Sequence, residues 1–127
     1  MKVILIDDNE IMLTVMKWQL RRMEGVEVVA SFQNAEEAIA YFRTGGQVDL
    51  AFLEIKLAEA DGLQLARDLR ESNKELDIVF VTAHKEYALP AFDLYPLDYM
   101  IKPVSRLRLA RTLEYARGKR GRCISNR

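Results

Sequence analysis

Thiol and imidazole chemistry is almost missing from this chain: Cys123 is its only cysteine and His84 its only histidine. A lone cysteine rules out an intrachain disulfide and points to a reducing compartment. A lone histidine without a second soft ligand nearby lacks the spacing a zinc site needs, so His84 reads as a loop residue beside a site mouth. Net charge is absent as well. Nineteen basic side chains (19) balance 19 acidic ones, so the whole chain lacks the electrostatic footprint of a nucleic-acid binder. No apolar run approaches a membrane span, and "MKVILIDD" turns acidic too soon for a signal peptide, so a cytoplasmic protein without a membrane partner is expected. Internal repeats, low-complexity tracts and a helix-turn-helix pattern are missing too.

What remains is an ordinary globular composition, half hydrophobic over 127 residues, enough for one domain with a real core. Charge is unevenly placed within it. From Lys102 onward, Arg106, Arg108, Arg111, Arg117, Lys119, Arg120, Arg122 and Arg127 face a single acid, Glu114.

Strand and helix signals alternate five times. "KVILI" is apolar at successive positions, as a strand buried on both faces must be, and a helix with Met12, Leu13, Met16 and Leu20 follows, capped by Asp8 or Asn9. "VEVVASF" reads as an edge strand, "NAEEAIAYFRTGG" as a capped helix, and "VDLAFLE" as a buried third strand. "DGLQLARDLRES", "LDIVFVTA", the weaker helix "HKEYALPAFDLY", a short strand in "PLDYMIKP" and the helix "SRLRLARTLEYARG" complete the series. Pro90 weakens the fourth helix unless it sits in the first turn. Such alternation with short connections argues a parallel sheet flanked by helices through right-handed crossovers. Residues 118–127 read as a basic linker or tail.

In open parallel sheets, ligands bind beyond the carboxyl ends of the strands. Here those ends deliver Asp7 and Asp8, then Glu54, Thr82 and Lys102. Taken singly, an Asp-Asp after a strand is a helix cap, a strand-end threonine is structural, and a lysine before Pro103 faces solvent. Together they form three carboxylates, a hydroxyl and an ammonium in one mouth. Crowded carboxylates repel, which favours a divalent cation, a proton or a lysine partner. Hard oxygen ligands with open water positions suit Mg²⁺.

The stretches "VILIDDNE", "VDLAFLEIKLAEADGLQLA" and "IVFVTAHKEYALPAFDLYPLDYMIKPVS" carry a resemblance to the receiver domains of bacterial two-component response regulators, over residues 1–117. It implies a flavodoxin-like (βα)5 sheet of order 2-1-3-4-5. It also implies Mg²⁺ on Asp7 and Asp8 with the backbone carbonyl of Lys56, a switch hydroxyl at Thr82, a switch aromatic at Tyr99, and the phosphate-stabilising lysine at Lys102. The family's phosphorylated aspartate falls on Glu54, and the proline and glycine common in the next loop are replaced in "KLAEADG".

Glutamate lengthens the side chain by one methylene, roughly 1.5 Å of bond length. In-line phosphoryl transfer suffers on the order of a hundredfold from an error of about 1 Å. Glu54 is therefore expected to be a poor acceptor that reaches into the phosphoryl space, pairs with Lys102, and accepts a hydrogen bond from Thr82. One charge and two oxygens imitate a phosphoryl group only in part. The expected protein is a non-enzymatic signalling domain whose switching is independent of phosphorylation or mimics it. An introduced phosphomimetic substitution is the alternative.

The resemblance further implies a sensor histidine kinase as partner, an effector beyond residue 127, and output through the fourth-to-fifth-helix face. On that face Arg106, Arg108 and Arg111 are expected to meet Glu86, Asp93 and Asp98 of a twofold-related copy. Two rival classes share the architecture. A flavodoxin-type electron carrier needs a hydroxyl- and glycine-rich phosphate loop, the opposite of "DDNEIM". A Mg²⁺-dependent phosphatase with Asp7 as nucleophile needs a cap domain and a second aspartate spacing that the chain lacks.

Overall fold

The computed structural model describes residues 1–125, with side chains described to Arg120. Five parallel strands form the main sheet: β1 (Lys2–Ile6), β2 (Glu27–Phe32), β3 (Leu50–Leu53), β6 (Asp77–Thr82) and β7 (Asp98–Ile101). Their order is β2-β1-β3-β6-β7, and β4 (Lys56–Leu57) pairs with β5 (Ala60–Asp61) as a small antiparallel ladder after β3. With that ladder set aside, the order matches the expected 2-1-3-4-5. β2 lies at the edge, as its thinner apolar content implied.

Alternation along the strands divides the core. Ile4, Ile6, Ala51, Leu53, Ile78 and Phe80 point to one face, where they meet α2 (Ala35–Arg43) and α3 (Gly62–Ser72) through Ala38, Phe42, Ala66 and Leu69. Val3, Leu5, Leu50, Phe52, Val79 and Val81 point to the other, against α1 (Glu10–Arg21) and α5 (Arg106–Ser125) through Leu13, Met16, Leu20, Leu109, Leu113 and Ala116. Successive apolar residues in the central strands are thus used on both faces, the reason these runs are continuous rather than alternating.

Four of the five α-helices start where a short polar side chain takes a free amide; the short helix after β6 has no such cap. Asn9 accepts from the Met12 amide at 3.2 Å, Asn34 from Glu37 at 2.9 Å, Asp61 from Leu63 at 2.9 Å, and Ser105 from Arg108 at 3.0 Å. Asn9, rather than Asp8, is the α1 cap. Between β6 and β7 the weak helix signal resolves into a 3-10 turn (Lys85–Tyr87) and a short α4 (Ala88–Phe92), with Pro90 inside the first turn as its missing N–H requires. Phe92 on α4 is exposed rather than tucked into the core.

α5 runs on through the region expected to be a tail from 118. Two buried or half-buried acids at the starts of β3 and β6 account for this. Lys119 donates to Asp77 at 2.7 Å, and Arg120 donates to Asp77 at 3.2 Å and to the Asp49 carbonyl at 2.5 Å. Residues 126–127, the end of that expected tail, lie outside the described residues, as does the Cys123 side chain. No described helix is long and apolar enough to cross a membrane.

Candidate functional site

The ladder bonds that continue past the strand ends place the site. Asp7 donates its amide to Phe32 at 3.0 Å, Glu54 to Ile6 at 2.9 Å, and Lys102 to Thr82 at 2.9 Å. Each residue just beyond a strand therefore keeps its neighbour's register, and the side chains of Asp7, Glu54 and Lys102 converge.

Lys102 is the hub. Its ammonium lies 2.8 Å from Asp7 Oδ2 and 3.0 Å from Glu54 Oε1, and the three side chains are only 17 %, 6 % and 8 % exposed in that order. Backbone amides take the remaining carboxylate oxygens: Ile55 donates to Glu54 Oε2 at 2.7 Å, and Asn9 to Asp7 Oδ1 at 2.9 Å. Both oxygens of each acid are thus satisfied. One ammonium nevertheless faces two buried carboxylates. Burial pushes the Asp7 carboxyl above its ordinary 3.8, and the Glu54 charge adds to this against the pull of Lys102 and Asn9. For Lys102, burial lowers the pKa, but the hydrogen bonds and charges of Asp7 and Glu54 prevail and hold it above 10.5.

The loop after Glu54 is fixed by close approach. A Cβ at Gly62 would stand 2.2 Å from the Glu54 carbonyl oxygen and 2.7 Å from Ile55 Cα, and the Gly62 amide donates to the Ile55 carbonyl at 2.6 Å. Only glycine lets the start of α3 pack against the residue carrying the acid. The "DG" pair was visible in the sequence, but nothing there showed that its glycine touches Glu54.

Thr82 is fully buried, and its hydroxyl accepts from the His84 amide at 3.3 Å. The hydrogen bond expected to Glu54 is replaced by the one from Ile55, an amide one residue away that no spacing argument reveals. Tyr99 donates its hydroxyl to the His84 carbonyl, and its ring stands 6.2 Å from that of Phe80. Burial, then the charges of Glu86 and Glu54, raise the Tyr99 hydroxyl above 10.0 and keep it a donor. His84 pairs with Glu86 at 3.1 Å on the loop between β6 and α4, a rim position.

Asp8 is exposed at the rim, beside a cleft of about 430 Å³ that it shares with Asn34, Glu36, Leu57 and Glu59. Lys56 follows Glu54 closely, on β4, and its side chain is exposed. Two carboxylates of which one is open to solvent, with a backbone carbonyl nearby in sequence, suit a hydrated Mg²⁺, which usually keeps several waters. Among the described residues, no group of three or more His, Cys, Asp or Glu side chains is disposed to hold a metal, so protein side chains alone would not close the shell.

On the face from α4 to α5, Arg108 is already engaged within the chain. It donates to Asp98 at 2.9 and 2.7 Å, and Thr112 donates to the same carboxylate at 2.7 Å. That removes Arg108 and Asp98 from the expected twofold latch. Leu89, Phe92, Tyr95 and Tyr115 remain exposed there.

Residues 3–114 match the family described as "Response regulator receiver domain". The chain is 39% identical over 113 residues to an uncharacterized response regulatory protein of Yersinia pestis, covering 89% of this chain and 47% of that one. It is 35% identical over 113 residues to the transcriptional regulatory protein NatR of Bacillus subtilis, covering 89% of this chain and 48% of the relative. The response regulatory domain of MrkE from Klebsiella pneumoniae superposes with a TM-score of 0.84 at 31% identity, covering 94% and 97% of the two chains. The chain spans about half the length of the curated relatives it matches, 47% and 48% for these two.

Proposed function

As the chain belongs to the response regulator receiver domain family, we propose that it is a receiver whose phosphoacceptor position is held by Glu54, so that its state is set by sequence rather than by ordinary aspartyl phosphorylation. The 3.0 Å bond between Glu54 and Lys102 carries this reading. Lys102 is the cation that would stabilise a phosphoryl group, and here a carboxylate of the chain itself occupies it. Thr82 and Tyr99 are the switch pair by the same reading, and their links to His84 tie both to the loop before α4.

Asp7 and Asp8, with the Lys56 carbonyl, are the groups to hold Mg²⁺, which would supply positive charge against crowded oxygens. Both oxygens of Asp7 are already taken by Lys102 and the Asn9 amide, so the ion must compete for them and its affinity is expected to be weak. A sensor histidine kinase is the partner the family implies, and Glu54 makes phosphotransfer from it slow by misplacement. Output passes through the α4–α5 face to a fused or partner effector, most simply a transcriptional one, by analogy with the transcriptional regulatory protein NatR. The second reading, an introduced phosphomimetic, is favoured by the full retention of Asp7, Asp8, Thr82 and Lys102 around position 54.

Intact-mass measurement after incubation with a small phosphodonor and Mg²⁺ tests both. The wild-type chain is expected to keep its mass, while Glu54→Asp gains one acid-labile phosphoryl group. A stable adduct on Glu54 would end the first proposal. Failure of Glu54→Asp to be modified would mean that the rest of the site has diverged too, which removes the phosphomimetic reading.

A further inference from the structure

α1 carries an apolar stripe that nothing among the described residues covers. Ile11 is 76% exposed, Val15 46% and Trp18 62%, whereas Leu13, Met16 and Leu20 on the same helix are buried in the core. At helical spacing these two sets lie on opposite sides, so the stripe points directly away from the sheet. Arg22 continues it, its guanidinium stacked 4.7 Å above the Trp18 ring. The steps between Ile11, Val15, Trp18 and Arg22 are those of a two-helix seam, in which alternate spacings of four and three keep one line of side chains on the partner.

We infer that this outward face of α1 is a docking surface for a second copy of the chain, with the two helices packed antiparallel about a twofold axis. Charge decides the direction. α1 has Glu10 in its first turn and Arg21, followed by Arg22, at its end. A parallel pair would set Glu10 beside Glu10, and Arg21 and Arg22 beside their own copies, like against like. Reversing one helix brings Glu10 opposite Arg21 and Arg22 at both ends, and seats Val15 against Trp18 and Ile11 against the stem of Arg22. A surface complementary to itself in this way is what a twofold contact needs. The chain's formal net charge of +0 adds no long-range repulsion between copies.

The seam is short. On α5, which packs on the same face of the sheet as α1, Leu107 is also 62% exposed. The whole still falls short of the roughly 1,200 Å² typical of a stable interface, so the expected dissociation constant is on the order of 100 µM. This face is separate from the α4–α5 surface assigned to output, and the inference does not depend on the role of Glu54.

Trp18 is the only tryptophan, so its emission reads the contact directly. The chain is followed from about 5 to about 500 µM by sedimentation velocity and by Trp fluorescence. The expected result is a rise in weight-average mass towards a dimer together with a blue shift. Ile11→Asp should weaken association at least tenfold and hold the emission red, with an unchanged melting curve because the residue is exposed. E10R alone and R21E with R22E should each weaken it several-fold, and the three together should restore it. Loss of helix-dipole stabilisation would instead be worst in the triple variant. A monomer with constant emission throughout overturns the inference. So does association that Ile11→Asp leaves intact, including one that Phe92→Asp abolishes, or a triple variant that fails to recover.

Discussion

Replacing Lys102 by methionine should expose how much the buried charges depend on one ammonium. The side chain keeps its length, so packing is largely preserved, but Asp7 and Glu54 are left facing each other without their shared cation. Breaking a buried ion pair by removing one partner costs about 3–5 kcal/mol. The two acids have one escape, which is to bind a proton. From an ordinary carboxyl value of 3.8 for Asp7, protonation costs about 1.36 kcal/mol per pH unit, hence about 4 kcal/mol at pH 7 and only about 1.6 at pH 5. The cost at pH 7 is therefore capped near 4 kcal/mol and should shrink by about 2–3 kcal/mol at pH 5. The sign follows from proton binding. In the variant, the folded state holds a proton that the unfolded state has released, so stability relative to wild type falls as pH rises. Urea denaturation of both proteins at pH 5, 6 and 7 measures this. A loss below about 1 kcal/mol at pH 7, or one that does not change with pH, would refute the account of the basin. Adding Glu54→Gln should recover about half of the loss or more, because one uncompensated charge is removed.

Three further outcomes follow from other contacts. Gly62→Ala puts a carbon 2.2 Å from the Glu54 carbonyl oxygen, and since overpacking against backbone costs about 1–3 kcal/mol or more, the melting temperature should fall by several degrees. Burial alone would raise the Asp98 carboxyl, but hydrogen bonds from Arg108, Thr112 and the Tyr99 amide, with the Arg108 charge, hold it below 3.8. Its stabilisation is thus full above the unfolded value and lost as pH falls through the folded one; Asp98→Asn should flatten the acid limb of the stability curve. Asp77→Asn removes the carboxylate charge that holds Lys119 and one of the two that hold Arg120, and amide exchange should accelerate in the last turns of α5 while α1 and β1 stay protected.

The central strands were the most legible part of the chain, because β1, β3 and β6 bury both faces and leave no polar interruption until their functional ends. The convergence of Asp7, Glu54 and Lys102 was legible for the same reason: parallel strands must end on one side, and five short connections allow few topologies. Partners from adjacent or distant sequence were not. Ile55 gives Glu54 an amide that any residue at that position would provide, so no side-chain pattern announces it. The end of α5 looked like a solvated basic run interrupted by Gly118, and its true partners, Asp77 and Asp49, sit in segments that read simply as the polar starts of strands. Arg108 and Asp98 were assigned to another copy because their proximity within one chain depends on how α5 lies against β7.

β6 is fastened at its start and turns tightly at its end. Its first residue, Asp77, is gripped by Lys119 and Arg120, and its last, Thr82, sits under the amide of His84. Sliding such a rod along its own axis would pull two cations off a buried acid, so lengthwise motion is closed to it. Any rearrangement born in the acid-lined basin must travel sideways instead, across the neighbouring edge strand to Tyr99 and the loop before α4, and a cross-link between β6 and β7 should silence it.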